Sequence, residues 1–293
     1  MRVSRAHLLH GLAWGATSGV TVTILVLVAF LVVRGGRALG PDLFFADTPW
    51  LEALLGQRAV FGGIWPSVVG TLVLVLGASA LAIPLGILAG IHLAEAPHSR
   101  TTAALRWSVD LLAGIPSILM GWFGFGLILW LRATLWPQAN TSLLLAMFCL
   151  ALLVLPYLIR TTEAALLGLP DSLRLAGPAL GLTPEQSLRR ILLPAARRGL
   201  LGGVFLAVGR IAEDTAVILM TGVVANSGLP GGLTGKFQAL PFDIYFLAAE
   251  NRGPEDLQRA FGTAVVLLML TGCLFIVAHA VHRELEQREG RET

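Results

Sequence analysis

Arg210, Glu213 and Asp214 place three ionisable groups within five residues, inside a stretch that is otherwise apolar from Gly199 to Gly222. On a helix Arg210 and Asp214 stand four apart and share a face, with Glu213 beside them. A guanidinium stays charged at any working pH, and its forked donors match the oxygens of a tetrahedral anion. Even by the lower estimates a charge at the centre of a membrane span costs about 2.5–3.5 kcal/mol. Two readings follow. The three groups neutralise one another as a structural ion pair, or Arg210 meets a passing anion while Asp214 and Glu213 orient it. Ionisable groups at membrane depth mark substrate paths by default, which favours the second.

No pattern for hydrolytic chemistry accompanies this cluster. The chain has neither a His-Glu-x-x-His zinc motif nor a Gly-x-Ser-x-Gly nucleophile turn. The run Gly231-Gly232-Leu233-Thr234-Gly235-Lys236-Phe237 imitates a phosphate-binding loop, but it is one residue short and ends in Phe. His279 and His282 read as interfacial histidines, and no third metal ligand stands near them. Cys149 and Cys273 both fall in apolar runs, which argues against a structural disulfide and against zinc.

The second chemistry-bearing stretch is polar and runs from Thr161 to Arg198. Thr183-Pro184-Glu185-Gln186 is a helix start, with Thr183 as N-cap, Pro184 in the first turn and Gln186 closing a capping box. That helix is expected to end near Leu193, ahead of Pro194. Asp171 or Ser172 is expected to cap an earlier piece that Pro178 bends. Gly181 sits at the corner, where glycine turns freely. Five arginines (174, 189, 190, 197 and 198) decorate this helix–turn–helix knob.

The elements that position both stretches are membrane helices. Of the 293 residues, 55% are hydrophobic and 13% charged, which excludes an ordinary soluble domain. A transmembrane helix needs about 20 apolar residues. Six spans meet that length, at about 12–33, 67–93, 109–131, 141–159, 199–222 and 261–281. Ala78, Ala82, Gly86 and Gly90 give the second span a face for close packing, and Pro84 is expected to kink it. Gly114-Ile115-Pro116-Ser117 opens the third span, which is therefore expected to face the interior. The fold class is an all-α integral membrane protein forming one transmembrane domain, 1–293, with outer loops 34–66 and 223–259 and an inner loop 160–198.

Six spans put both termini on one side. That side carries arginines 2, 5, 100, 106, 160, 174, 189, 190, 197, 198, 283, 288 and 291, thirteen in all. The other carries arginines 34, 37, 58, 132, 252 and 259 with Lys236, seven in all. The bias makes the termini and the knob cytoplasmic.

The inner loop resembles the signature of the permeases of binding-protein-dependent ABC importers, in which Glu-Ala-Ala, three residues, a glycine and nine residues precede Ile-x-Leu-Pro. Gly181 and the run Ile191-Leu192-Leu193-Pro194 match its second half. Leu175-Ala176-Gly177 stands where Glu-Ala-Ala is expected, and the literal Glu163-Ala164-Ala165 is at the wrong distance. Within that superfamily, the segments Ser67–Leu72, Pro84–Ile87, Leu112–Ile118, Arg210–Ala216 and Leu240–Tyr245 are similar to the phosphate importer permeases PstA and PstC, the A-type more than the C-type. That family commonly has Gly-Glu-Thr-Ala where Glu213-Asp214-Thr215-Ala216 stands.

The resemblance implies a six-span type I ABC importer fold with a cytoplasmic coupling helix between the fourth and fifth spans. It implies that Leu175, Ala176, Gly177, Leu180, Gly181, Ile191, Leu193 and Pro194 form the ATPase-coupling loop, and that Arg210, Asp214 and Glu213 line the substrate path. The implied partners are a second permease subunit of the PstC type, two ATPase subunits that hold ATP and magnesium, and an extracytoplasmic phosphate-binding protein. This chain would then bind no cofactor and catalyse no reaction. A permease for sulfate or molybdate, or a non-transporting membrane sensor or assembly protein, stays open beside this reading.

Overall fold

In the computed structural model, residues 2–97, 99–250 and 253–289 are described, with side chains over 10–97, 99–250 and 253–280. Arg252 and Arg291, and the side chains of Arg2, Arg5, His282, Arg283 and Arg288, lie outside the described residues. The chain order is α1 (Arg2–Gly35), α2 (Pro41–Phe45), α3 (Trp50–Leu54), α4 (Trp65–Glu95), α5 (Arg100–Ala113), α6 (Ser117–Thr134) and α7 (Leu143–Leu167). There follow α8 (Asp171–Ala179), α9 (Pro184–Ser187), α10 (Leu193–Glu213), α11 (Ala216–Thr221), α12 (Leu240–Ala249) and α13 (Pro254–Glu289). Six helical stretches are long and apolar enough to cross a membrane: His10–Ala38, Trp65–Glu95, Ser117–Thr134, Leu143–Leu167, Pro184–Glu213 and Pro254–Ala280.

The centre of the bundle is α7. In its most apolar stretch 67% of residues are buried, against none in that of α1. The small-residue face of the second span explains much of this packing. Ala78 and Ala82 are fully buried. A methyl added at Gly86 would lie 2.5 Å from the Leu158 Cβ, and one at Gly90 would lie 2.7 Å from the Ile159 carbonyl oxygen. Apolar side chains gain little by leaving lipid, so helices associate where small residues let backbones approach. Helix α10 uses the same device on α7, with Gly199 over Ala165 and Gly203 over Thr161. Helix α4 runs through Pro84 without interruption.

The third span differs from the single helix expected over 109–131. Pro116 disfavours helical geometry at Ile115, so α5 ends at Ala113 and α6 starts at Ser117. Only one face of α6 is interior: Gly121 and Gly124 pack against α11, Cys149 and Thr221, whereas Trp122, Phe123, Leu129 and Trp130 are exposed. Helix α7 outruns its expected end at Ile159 by two turns, so the polar inner connection begins only after Leu167. Loops 34–66 and 223–259 also hold helices, α2 and α3 in the first and α12 in the second, and α13 already starts at Pro254.

At one end of the bundle, backbone bonds join Ser142 N–H to the Thr221 carbonyl (2.8 Å) and Leu143 N–H to Gly235 (2.9 Å). Here too the Leu240 N–H donates to Thr71 Oγ1 at 2.9 Å. Gly70 is required at this crossing, because a methyl there would overlap the Gln238 carbonyl. Helix α1 stands apart at the edge. It touches α13 near its own C-terminus, where Phe30 meets Phe261 edge to face at 5.7 Å and Gly35 abuts Phe261 and Val265.

Candidate functional site

The fifth span does not continue as one helix from Gly199 to Gly222. It breaks at Asp214, whose backbone is extended at φ −74°, ψ 114°. A short carboxylate competes for backbone donors and so favours helix ends over interiors. Here the Asp214 Oδ1 accepts the Val217 N–H at 2.9 Å and caps α11. Its other oxygen, Oδ2, lies 3.4 Å from the Arg210 guanidinium, and Glu213 Oε1 lies 3.1 Å from it. The three predicted residues therefore meet, but on unequal terms. The Asp214 side chain is 3% exposed, those of Arg210 and Glu213 38% and 62%. Asp214 is thus anchored from two sides, and Arg210, held by both carboxylates, stays partly exposed. An interrupted span at membrane depth needs a polar or wet environment for its freed backbone groups.

The knob forms around Gly181 as expected, and its chemistry is local. Gly181 has φ +71°, its N–H bonds the Pro178 carbonyl (3.0 Å), and the Leu182 N–H bonds the Gly177 carbonyl (3.0 Å). This is a Schellman ending with glycine in the left-handed position. The capping box is present, with Gln186 N–H on Thr183 Oγ1 and Thr183 N–H on Gln186 Oε1. The N-cap of α8 is Pro170 rather than Asp171 or Ser172, with Asp171 in the first turn. Pro178 bends nothing mid-helix, because it stands one residue from the end of α8.

The second knob helix does not stop at Leu193. A widened π-turn over Leu188–Leu192, closed by Leu193 N–H on the Leu188 carbonyl, leads straight into α10. Pro194 lacks an N–H and sits in the first turn of α10, where it does not break the chain. Knob and charged cluster are consequently on one continuous element, with Arg210 roughly 26 Å along the axis from Leu193.

The coupling-loop residues divide by exposure. Leu175 and Leu180 are 68% and 73% exposed, and Gly181 and Pro194 are also at the surface. Ala176, Ile191 and Leu193 are half-buried. Gly177 is buried beneath Ser187, where no side chain fits. Leu192, passed over in the motif, is the buried anchor, packed with Leu166 and Ala196. Arg174 is not free either, since it bonds Glu95 Oε1 (3.1 Å) and the Leu166 carbonyl (2.9 Å).

One cluster escaped the sequence reading. Glu163, 5% exposed, bonds Arg106 Nε at 2.6 Å and Arg160 Nη1 at 2.7 Å. Arg160 also pairs with Asp110, and Arg106 Nη2 reaches the Leu93 carbonyl at 2.7 Å. The chain of charges ties α4, α5 and α7 together beside the knob. In sequence only the three-residue spacing of Arg160 and Glu163 hints at it.

A bundle built on a central apolar helix, with an interrupted charged span leading from an exposed helical knob, defines a polytopic transport permease. The chain belongs to the family of binding-protein-dependent transport system inner membrane components, whose profile matches residues 82–291, and it is a multi-pass inner-membrane protein. It is 32% identical over 233 residues to phosphate transport system permease protein PstA 1 of Mycobacterium tuberculosis (strain CDC 1551 / Oshkosh), covering 78% of this chain and 74% of that one. It is 35% identical over 247 residues to PstA of Haemophilus influenzae, covering 84% and 82%. Among solved structures, its fold is similar to a chain of the bacterial alginate ABC transporter (TM-score 0.63, 12% identity, 97% and 96% covered). It is also similar to a chain of the inward-facing MetNI methionine ABC transporter (TM-score 0.54, 21% identity, 80% and 97% covered).

Proposed function

We propose that this chain is a permease subunit of an ATP-driven importer that moves inorganic phosphate across the cytoplasmic membrane by alternating access. The observation that carries this reading is Arg210, a partly exposed guanidinium at the interruption of the fifth span in a relative of phosphate permeases. A second permease subunit of the PstC type would face that surface and complete the path. Two ATPase subunits, holding ATP and magnesium, would grip the knobs, and an extracytoplasmic phosphate-binding protein would deliver the anion to the opposite end. Arg210, Asp214 and Glu213 serve the path. Leu175, Ala176, Gly177, Leu180, Gly181, Ile191, Leu193 and Pro194 serve the ATPase contact, with the exposed Leu175 and Leu180 as apolar anchors. This subunit performs no hydrolysis.

The deciding experiment reconstitutes the four kinds of subunit in vesicles and follows ATP-dependent uptake of phosphate, sulfate and molybdate with the binding protein present. Phosphate uptake that stops without ATP or binding protein is the expected result. Sulfate or molybdate uptake in its place would transfer the reading to another oxyanion, and uptake of none would end it.

Two further results are expected. In a Cys273→Ser background, which removes the exposed native thiol, Leu180→Cys should label from the cytoplasmic face and Ser227→Cys from the opposite face. Labelling of both from one face would overturn the orientation. Gly181→Val forces a β-branched residue into φ +71°. It should lower binding-protein-stimulated ATP hydrolysis at least tenfold while the protein remains in the membrane. Normal coupling in Gly181→Val would move the ATPase contact elsewhere.

A further inference from the structure

A small polar cavity of about 170 Å³ opens where three separate outer segments converge: the turn at Gly62–Ile64, the loop carrying Asn226 and Gln238, and the pair α12 and α13, which contribute Asp243 and Arg259. None of the Arg210 cluster lines it, and it belongs to the other connection of the fifth span. Three features set it apart from a packing defect. Gln238 borders the cavity and is 4% exposed, with its side-chain oxygen sealed beneath the surface and without a hydrogen-bond partner. Arg259 and Asp243 line the same space, near enough for the guanidinium to act on the carboxyl. Burial pushes the Asp243 carboxyl up to about 6, against the opposing pull of Ser67 and Arg259. The site therefore brings a cation and an acceptor to one cavity.

We propose that this cavity binds one protonated tetrahedral oxyanion, with Arg259 holding its ionised oxygens while Asp243 accepts a hydroxyl proton. The volume matches, since it equals that of about five or six waters at their liquid volume, enough for one such ion with part of its hydration. The chemistry selects. A carboxylate has no proton to give, so beside Asp243 an oxyanion that carries hydroxyls is accepted and one fully ionised at neutral pH is repelled. Hydrogen phosphate and dihydrogen phosphate satisfy the set, and sulfate does not. Asn226, exposed and in a left-handed conformation at φ +54°, stands at the rim with its amide available to the ligand. The cavity becomes a selectivity station at the end opposite the knob, ahead of the Arg210 path. The choice of phosphate as ligand rests on the function proposed above.

The test is equilibrium binding of radiolabelled inorganic phosphate to the assembled importer in detergent, without ATP or binding protein and with sulfate as competitor. The Arg210→Gln complex serves as host, so that the cavity is read apart from the path. Phosphate should bind one site per copy of this chain, and sulfate should compete poorly. Adding Arg259→Gln should weaken binding at least tenfold. Asp243→Asn replaces the acceptor-only group by one that also donates, and should improve competition by sulfate at least tenfold. Asn226→Asp, at an exposed position where folding is untouched, should weaken phosphate by repulsion alone. Water alone as occupant would appear as no phosphate binding in the host. That result overturns the proposal, as do unchanged affinity in both Arg259→Gln and Asn226→Asp or unchanged sulfate exclusion in Asp243→Asn. ATP-driven uptake by the unsubstituted complex separates the two readings: intact phosphate uptake alongside any of these failures removes the cavity alone.

Discussion

Arg210→Gln should abolish ATP-driven phosphate uptake, by at least a hundredfold, while the complex still assembles in the membrane. The guanidinium supplies charge and a fork of donors, and glutamine supplies neither at comparable strength. Arg210→Lys keeps the charge, loses the fork and should retain a few per cent of transport. A structural ion pair predicts a different pattern. Asp214 is buried beside Arg210, and an uncompensated buried charge costs about 3–5 kcal/mol. On that account Arg210→Gln should lower abundance, and Arg210→Gln with Asp214→Asn should restore both abundance and uptake. Asparagine suits this comparison because it can still cap the Val217 N–H. The measurement is uptake normalised to assembled complex. Recovery of uptake in the double variant would remove Arg210 from the path.

The second large effect is expected at Glu163, a residue with no part in the transport chemistry proposed here. Glu163→Ala removes the shared partner of Arg106 and Arg160 and leaves two guanidinium groups facing each other. Their side chains keep 23% and 32% exposure, so the cost falls somewhat below that of a fully buried pair, at about 2–4 kcal/mol. Denaturant unfolding in detergent should show this loss, and Glu163→Gln should lose less because it still accepts one bond. Arg106→Gln together with Glu163→Gln should cost less than the sum of the single changes, as groups sharing one network are coupled. Additivity, or stability unchanged in Glu163→Ala, would mean that the network does not hold α4, α5 and α7 together.

Legibility followed the range of the interaction. The capping box at Thr183–Gln186 and the Gly181 turn depend on neighbours within five residues, and both could be read directly from the sequence. The small-residue face of α4 was legible because its four-residue period is geometric, although sequence did not say that α7 is what it meets. The charged trio was visible as a cluster, but its asymmetry was not. Nothing local distinguishes an aspartate that continues a helix from one that leaves it to cap the next. Pro194 misled for a related reason, since a π-turn ahead of it is a backbone solution with no residue signature. Arg106 and Glu163 lie 57 residues apart, and the outer cavity gathers residues from Gly62 to Arg259. Contacts of that separation exist only once the helices are placed.

The isolated position of α1 bears on how the subunit is built. Its docking surface on α13, through Phe30, Gly35, Phe261 and Val265, joins two helices far apart in the chain. About 230 residues of chain separate Phe30 from Phe261. At roughly 5–20 residues per second of synthesis, α1 waits on the order of ten to fifty seconds in the bilayer before its only extensive neighbour among the described helices emerges. Its uncharged, evenly apolar circumference between Leu12 and Val33 suits that interval, because lipid satisfies every face until the ring of helices closes.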